Sequence, residues 1–326
     1  MHFSFEPWFY AQTGLIVAAV LALFGAWIAS ISRVHGRAEP GRAAFIFLEV
    51  IMILYMVHLV MAITANMIIV KRANLIHGHE GSEDEYWAAF KKSMDRGLIV
   101  NIVRVVSSII ANALLLFSLV ELGSGLMFML KQQRSKSQKT MRYLALSFAA
   151  IMFILQLAIL PLMHKYWPMT WKNLGNETMY SHDSSTAGDM MRGLTAIQHL
   201  NLTYEVLNLV TAIAVLVYAS IVMHAYRTVK STRGCAISFL AMAILFFIRA
   251  MWLLVNHVSV VYMYTGVKTE SDLMLDIFLN HWPYTAILLT LFFLALKKQG
   301  GIWTTEQPWM RTSEKSLPSV EENRSQ

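Results

Sequence analysis

The chain has 326 residues, of which 56% are apolar and 14% charged, with a formal net charge of +7. An average soluble domain is about 45–50% apolar and about 25% charged, so an ordinary soluble enzyme is excluded. The single cysteine, Cys235, rules out an intramolecular disulfide and a zinc site built from thiolates.

A bilayer core about 30 Å thick takes roughly 20 helical residues to cross. Apolar runs of that length fall at 9–32, 43–70, 97–119, 141–163, 202–225, 237–262 and 275–296, which predicts seven spans. Inside lipid every backbone N–H and C=O must be satisfied within its own segment, so each run is a helix. The first span lacks a basic region before it and a small-residue cleavage site, and reads as an uncleaved anchor. The second carries His58 and Asn66, eight residues apart and roughly aligned. The third can run on to Leu130. It places Asn101, Arg104, Ser108 and Asn112 at i, i+3, i+7 and i+11, on one helical face. The connections at 71–96 and 165–193 are amphipathic enough for short surface helices. The second of these holds the sequon Asn176-Glu177-Thr178, a candidate glycosylation site at Asn176. The fifth span places Asn201, Glu205 and Asn208 on one face. The sixth does the same with Arg249, Trp252 and Asn256, with His257 alongside, and the seventh with Asp276, Asn280 and Tyr284, with His281 alongside. From about residue 300 the chain turns polar and reads as disordered.

Basic residues near span ends stay on the cytoplasmic side. The connections after spans one, three and five and the residues after span seven hold thirteen basic residues to one acid, Glu39. The opposite side holds nine to eleven. The expected protein is therefore all-α, a polytopic integral membrane protein whose seven-transmembrane-helix bundle forms one domain over 1–299. Its N-terminus is lumenal or outside, and a disordered cytosolic tail follows over 300–326. With the cations spread over several helix ends rather than one patch, nucleic acid is not an expected partner. The endoplasmic reticulum, or another membrane of the secretory pathway, is the expected location.

Ionisable groups inside a membrane are costly and by default mark function. With this orientation nearly all the intramembrane polar groups lie between the middle and the lumenal end, which suggests one polar chamber. Two acids, Glu205 and Asp276, and two arginines, Arg104 and Arg249, can compensate one another there. A purely structural ion-pair network is the bland alternative, and asparagines can serve as interhelical glue. Glu49 and Glu121 lie nearer the cytosolic interface, where snorkelling or pairing with loop arginines accounts for them. His77 and His79 lack a third ligand and read as surface residues, so no metal and no cofactor is expected.

A carboxylic acid in an apolar site holds its proton more readily than in water and can act as general acid, an effect that a nearby arginine opposes. One acid would thus stay ionised beside arginine and orient the site while the other donates. Trp252, Tyr262, Tyr264, Trp282 and Tyr284 gather at the lumenal ends of spans six and seven. Their ring faces could steady a carbocation, or they could form an interfacial belt. Paired acids and amides on lumenal half-helices, Glu205 with Asn208 and Asp276 with Asn280, resemble the membrane-bound terpene cyclases of fungal meroterpenoid pathways. The resemblance implies a metal-independent, isomerase- or lyase-type enzyme of secondary metabolism. Its reaction would be proton-initiated cyclisation of a prenylated lipophilic small molecule, starting at an epoxide or an alkene of the prenyl chain. Glu205, Asp276, Arg104 and Arg249 are then the candidate catalytic residues. Asn101, Asn208, Trp252, Asn256, Asn280 and Tyr284 are the candidate substrate-binding residues. No DDxxD-type acid cluster is present, which disfavours a magnesium-dependent prenyltransferase.

Two other classes compete. A seven-transmembrane receptor with an outward-facing ligand pocket fits the topology. However, span three ends on Lys131-Gln132-Gln133-Arg134 rather than Asp-Arg-Tyr, and Asn-Pro-x-x-Tyr is absent from span seven. A small-molecule transporter would call for broken helices or an internal repeat, and the sequence suggests neither.

Overall fold

The computed structural model describes residues 6–34, 42–77, 83–131, 136–174, 184–228, 233–262 and 270–296. All of its regular elements are helices. They are α1 (Glu6–Val34), α2 (Arg42–His77), α3 (Glu83–Lys131), α4 (Lys136–Leu174), α5 (Ser184–Ala225), α6 (Arg233–Tyr262), α7 (Glu270–Asp276) and α8 (Trp282–Leu296). A single π-helical turn, Ile277–His281, joins α7 to α8. Seven helices are long and apolar enough to cross a membrane, the seventh being α7, the π turn and α8 together. The predicted tail over 300–326 and the sequon residue Asn176 lie outside the described residues, as does Tyr264.

Two of the expected details change. The predicted surface helices at 71–96 and 165–193 are instead extensions of the spans, since α3 already begins at Glu83 and α4 continues to Leu174. From Glu83 to Arg96 no proline or glycine interrupts the chain. The amphipathic segment therefore continues the helix at no cost in broken hydrogen bonds. Likewise α3 reaches Lys131, as the long apolar run suggested.

Consecutive helices pack side by side, and the last span returns to contact both α6 and α1, closing a ring. α3 also meets α5 and α6 across the ring. Without a hydrophobic drive between helices in lipid, close approach of small residues provides dispersion contacts. Ala236, Ala243 and Ala250, each seven residues apart on α6, are fully buried and lay such a seam. At Gly123 the helices approach closely, because a Cβ there would lie 2.5 Å from Tyr218 Cε1 and 2.9 Å from the Phe239 ring. Large apolar side chains face outward along the spans: Leu21, Ile154 and Phe293 are each about two-thirds exposed, whereas Arg249 is 3% exposed. Apolar outside with a cation inside is the arrangement that a lipid solvent selects.

Candidate functional site

The π turn sets the geometry of the seventh span. Pro283 has no N–H to give to Leu279 and its ring crowds that carbonyl, so the ordinary α ladder cannot pass through it. One residue earlier the Trp282 N–H reaches back to the Ile277 carbonyl, five residues away. Such widened turns often mark functional sites. Here the turn lies between Asp276 and Tyr284 and carries Asn280 and His281. The His281 carbonyl accepts two side-chain hydrogen bonds, from Tyr55 Oη at 3.1 Å and Thr285 Oγ1 at 2.9 Å.

A cavity of about 270 Å³ opens among six of the seven spans, in the half of the bundle where α1 begins. Its size is close to the lower end of the range for small-molecule sites, about 300–1,000 Å³. All four candidate catalytic residues, Arg104, Glu205, Arg249 and Asp276, line it, together with Asn256 and Asn280. Asn112 and Ser108 from α3, Asn201 from α5, His58 from α2 and His281 complete most of the polar wall. Val105, Ile109 and Leu253 are its apolar patches.

Asp276 is thoroughly held. Trp252 Nε1 donates to its Oδ1 at 3.1 Å and Asn280 Nδ2 at 3.3 Å, while His281 Nε2 lies 3.8 Å from Oδ2. Asn280 in turn accepts from Arg249 Nε at 3.0 Å, so the amide bridges the arginine and the carboxylate. The Arg249 guanidinium also lies 4.7 Å over the Tyr284 ring, which stacks on Tyr55 at 4.0 Å. Arg104 donates Nη2 to Asn101 Oδ1 at 2.8 Å, and its backbone carbonyl lies 3.0 Å from His58 Nδ1.

Glu205 is furnished differently. Its Oε2 is buried with no hydrogen-bond partner among the described residues. The same is true of Arg249 Nη1, Asn112 Oδ1 and both amide atoms of Asn208. Most buried polar atoms in folded proteins find a partner, so such a concentration around one cavity marks a place where water or a ligand completes the bonding.

The direct pairing of acids with arginines expected from sequence therefore gives way to a looser arrangement. Asp276 and Arg249 are joined through Asn280, and Glu205 forms no ion pair among the described residues. A short ion pair lies elsewhere, between Arg142 Nε and Glu121 Oε1 at 2.6 Å, as the interfacial reading of Glu121 implied.

Not every candidate binding residue reaches the wall. Asn101 lies one turn outward of Arg104 and holds it. Asn208 is completely buried, one turn beyond Glu205. Trp252 touches the site through Asp276, and Tyr284 lies beneath Arg249, also completely buried. An aromatic lining for a carbocation is thus mostly missing from the wall, where Tyr204 is the one phenol. Tyr204 accepts a hydrogen bond from Asn112 Nδ2 at 3.1 Å. His58 and Asn66 part company: eight residues is two turns and about 80°, and Asn66 donates to Gln12 Oε1 at 3.2 Å instead. His257 approaches the Gln198 carbonyl at 3.3 Å, away from the cavity.

Gln156 of α4 lines the cavity and was missed. It is the one amide or charged residue between Tyr143 and Met163, a signal that could have found it. Among the described residues no group of three or more His, Cys, Asp or Glu is placed to hold a metal ion. Comparison of the chain with known protein families, with curated proteins and with solved structures finds no match.

Proposed function

We propose that the protein is a multi-pass membrane enzyme that starts a cyclisation by proton transfer inside this cavity. Its substrate in this reading is a prenylated, epoxidised lipophilic small molecule, met in a membrane of the secretory pathway with the cavity toward the lumen. The observation that carries the reading is the contrast between two carboxyls on one wall. Asp276 accepts several donors, whereas Glu205 keeps one buried oxygen without a partner among the described residues. A fully solvated-like carboxylate orients and stabilises positive charge, and a carboxyl without such donors is free to give its proton to a substrate.

In the proposed step the Glu205 proton passes to the epoxide oxygen and the C–O bond breaks toward that oxygen. The alkene π pair then forms the new ring C–C bond at the carbon left electron-poor. The resulting cation loses a proton to Asp276, leaving an alkene, and proton exchange through the shared cavity resets the two carboxyls. The product is an isomer of the substrate, so neither redox cofactor nor leaving group is needed. Arg104, Arg249 and the asparagines position the oxygen-bearing end, while the prenyl chain meets Val105, Ile109 and Leu253.

General acid catalysis contributes typically 10²–10⁴-fold. Glu205→Gln keeps the side-chain shape and removes the transferable proton, so conversion falls by about that factor while substrate binding remains. Equal conversion by Glu205→Gln would remove the donor role. A second reading, a receptor, draws support from the wall itself, which is mostly polar and poor in aromatics. Tight ligand binding by purified protein without turnover of any bound ligand would favour it.

A further inference from the structure

We infer that the ligand of the central cavity carries a single oxyanion, a carboxylate or phenolate, held between Arg104 and Arg249. The first ground is an unmet donor. Arg249 is 3% exposed, gives Nε to Asn280 and lays its face on Tyr284, yet its Nη1 is buried without a partner among the described residues. A guanidinium has five N–H donors in a fixed fork that suits two oxygens of one anion. Arg104, across the same cavity, gives one hydrogen bond, to Asn101, and like Arg249 makes no ion pair within 4.0 Å among the described residues.

The second ground is charge balance, and this part alone rests on the proposed function. In that reading Glu205 enters the cycle carrying its proton. The wall then has two cations, Arg104 and Arg249, against one anion, Asp276. An uncompensated buried charge is strongly unfavourable, and one negative charge on the ligand removes the excess. A doubly charged phosphate would overshoot and leave the cavity net negative. Asp276, already serving Trp252 and Asn280, balances one arginine and not both.

The test uses the full chain in nanodiscs and three aromatic probes of one skeleton, each bearing an epoxidised prenyl chain: a benzoate, its methyl ester and the matching benzylamine. Equilibrium binding is measured at low temperature, independently of turnover. The benzoate is expected to bind at least tenfold tighter than the ester, with the cationic amine weakest. Arg249→Gln should abolish the preference for the benzoate and Arg104→Gln should reduce it. An ester that binds as tightly as the benzoate overturns the inference, and the wild-type protein decides this even where a variant fails to fold. So does a preference that survives in both variants, or failure of all three probes to bind. Because binding is read without chemistry, a preference for the benzoate with no cyclised product would overturn the enzyme reading and leave the oxyanion site standing. Cyclisation of ester and benzoate with equal kcat/KM would do the reverse.

Discussion

The bridge from Arg249 through Asn280 to Asp276 gives the sharpest energetic prediction. Asn280→Ala removes an acceptor 3.0 Å from Arg249 Nε and a donor 3.3 Å from Asp276 Oδ1. Hydrogen bonds between membrane helices average about 0.6 kcal/mol and reach about 1.7, and bonds to charged groups lie at about 1.5–3 kcal/mol. Among the described residues Arg249 already has Nη1 without a partner, so the variant leaves two of its donors orphaned, which places the loss toward the top of the membrane range. We expect Asn280→Ala to cost about 2 kcal/mol. Roughly half of that belongs to the contact with Arg249, so in an Arg249→Met background the same change should cost about 1 kcal/mol less. Unfolding in mixed micelles, followed by thiol labelling, would supply the four free energies of the double-mutant cycle. Distant, independent sites add within about 0.3–0.5 kcal/mol. A coupling below about 0.3 kcal/mol would therefore refute the bridge.

Other expectations follow from separate parts of the fold. Gly123→Ala pushes a methyl group into the Tyr218 and Phe239 rings, 2.5 and 2.9 Å away. Overpacking of this kind costs about 1–3 kcal/mol, and Phe239→Leu in the same chain should recover part of it; unchanged stability in Gly123→Ala would refute the close approach. Cys235 is fully buried, so a thiol reagent should label it only as the bundle unfolds, and fast labelling of the native protein would contradict the packing of α6. Tyr226→Phe removes a 2.6 Å bond to the Leu126 carbonyl, which lies within α3 and keeps its helical partner, a loss of about 0.5–1.5 kcal/mol read from the same unfolding curves. In the proposed orientation, glycosidase treatment shortens the native chain on a gel and has no effect on Asn176→Gln; a native chain insensitive to the enzyme argues against a glycan there.

The span plan was legible because twenty consecutive apolar residues have few other uses, and the polar faces were legible because 3.6-residue periodicity survives in any helix. Arg104, Glu205, Arg249 and Asp276 could be gathered on one wall from spacing and direction alone. What spacing could not supply was the rotation of each helix about its axis, which packing decides. Asn208 and Tyr284 follow their faces inward past the wall, and Asn66 turns to Gln12. The partners of Asp276 depend on the wide turn that Pro283 imposes, and a register change of one residue moves Asn280 and His281 by about 100°. Gln156 was overlooked because a lone amide has no partner in its own helix to form a pattern.

Whether the cavity performs acid chemistry is tested most directly by product analysis. Membranes carrying the wild-type chain, Glu205→Gln or Asp276→Asn would be incubated with epoxidised prenyl-phenols and extracts compared by liquid chromatography and mass spectrometry. The account predicts a new product of unchanged mass from the wild type that is strongly reduced in both variants. A wild-type protein that binds these compounds and returns them unaltered would contradict it.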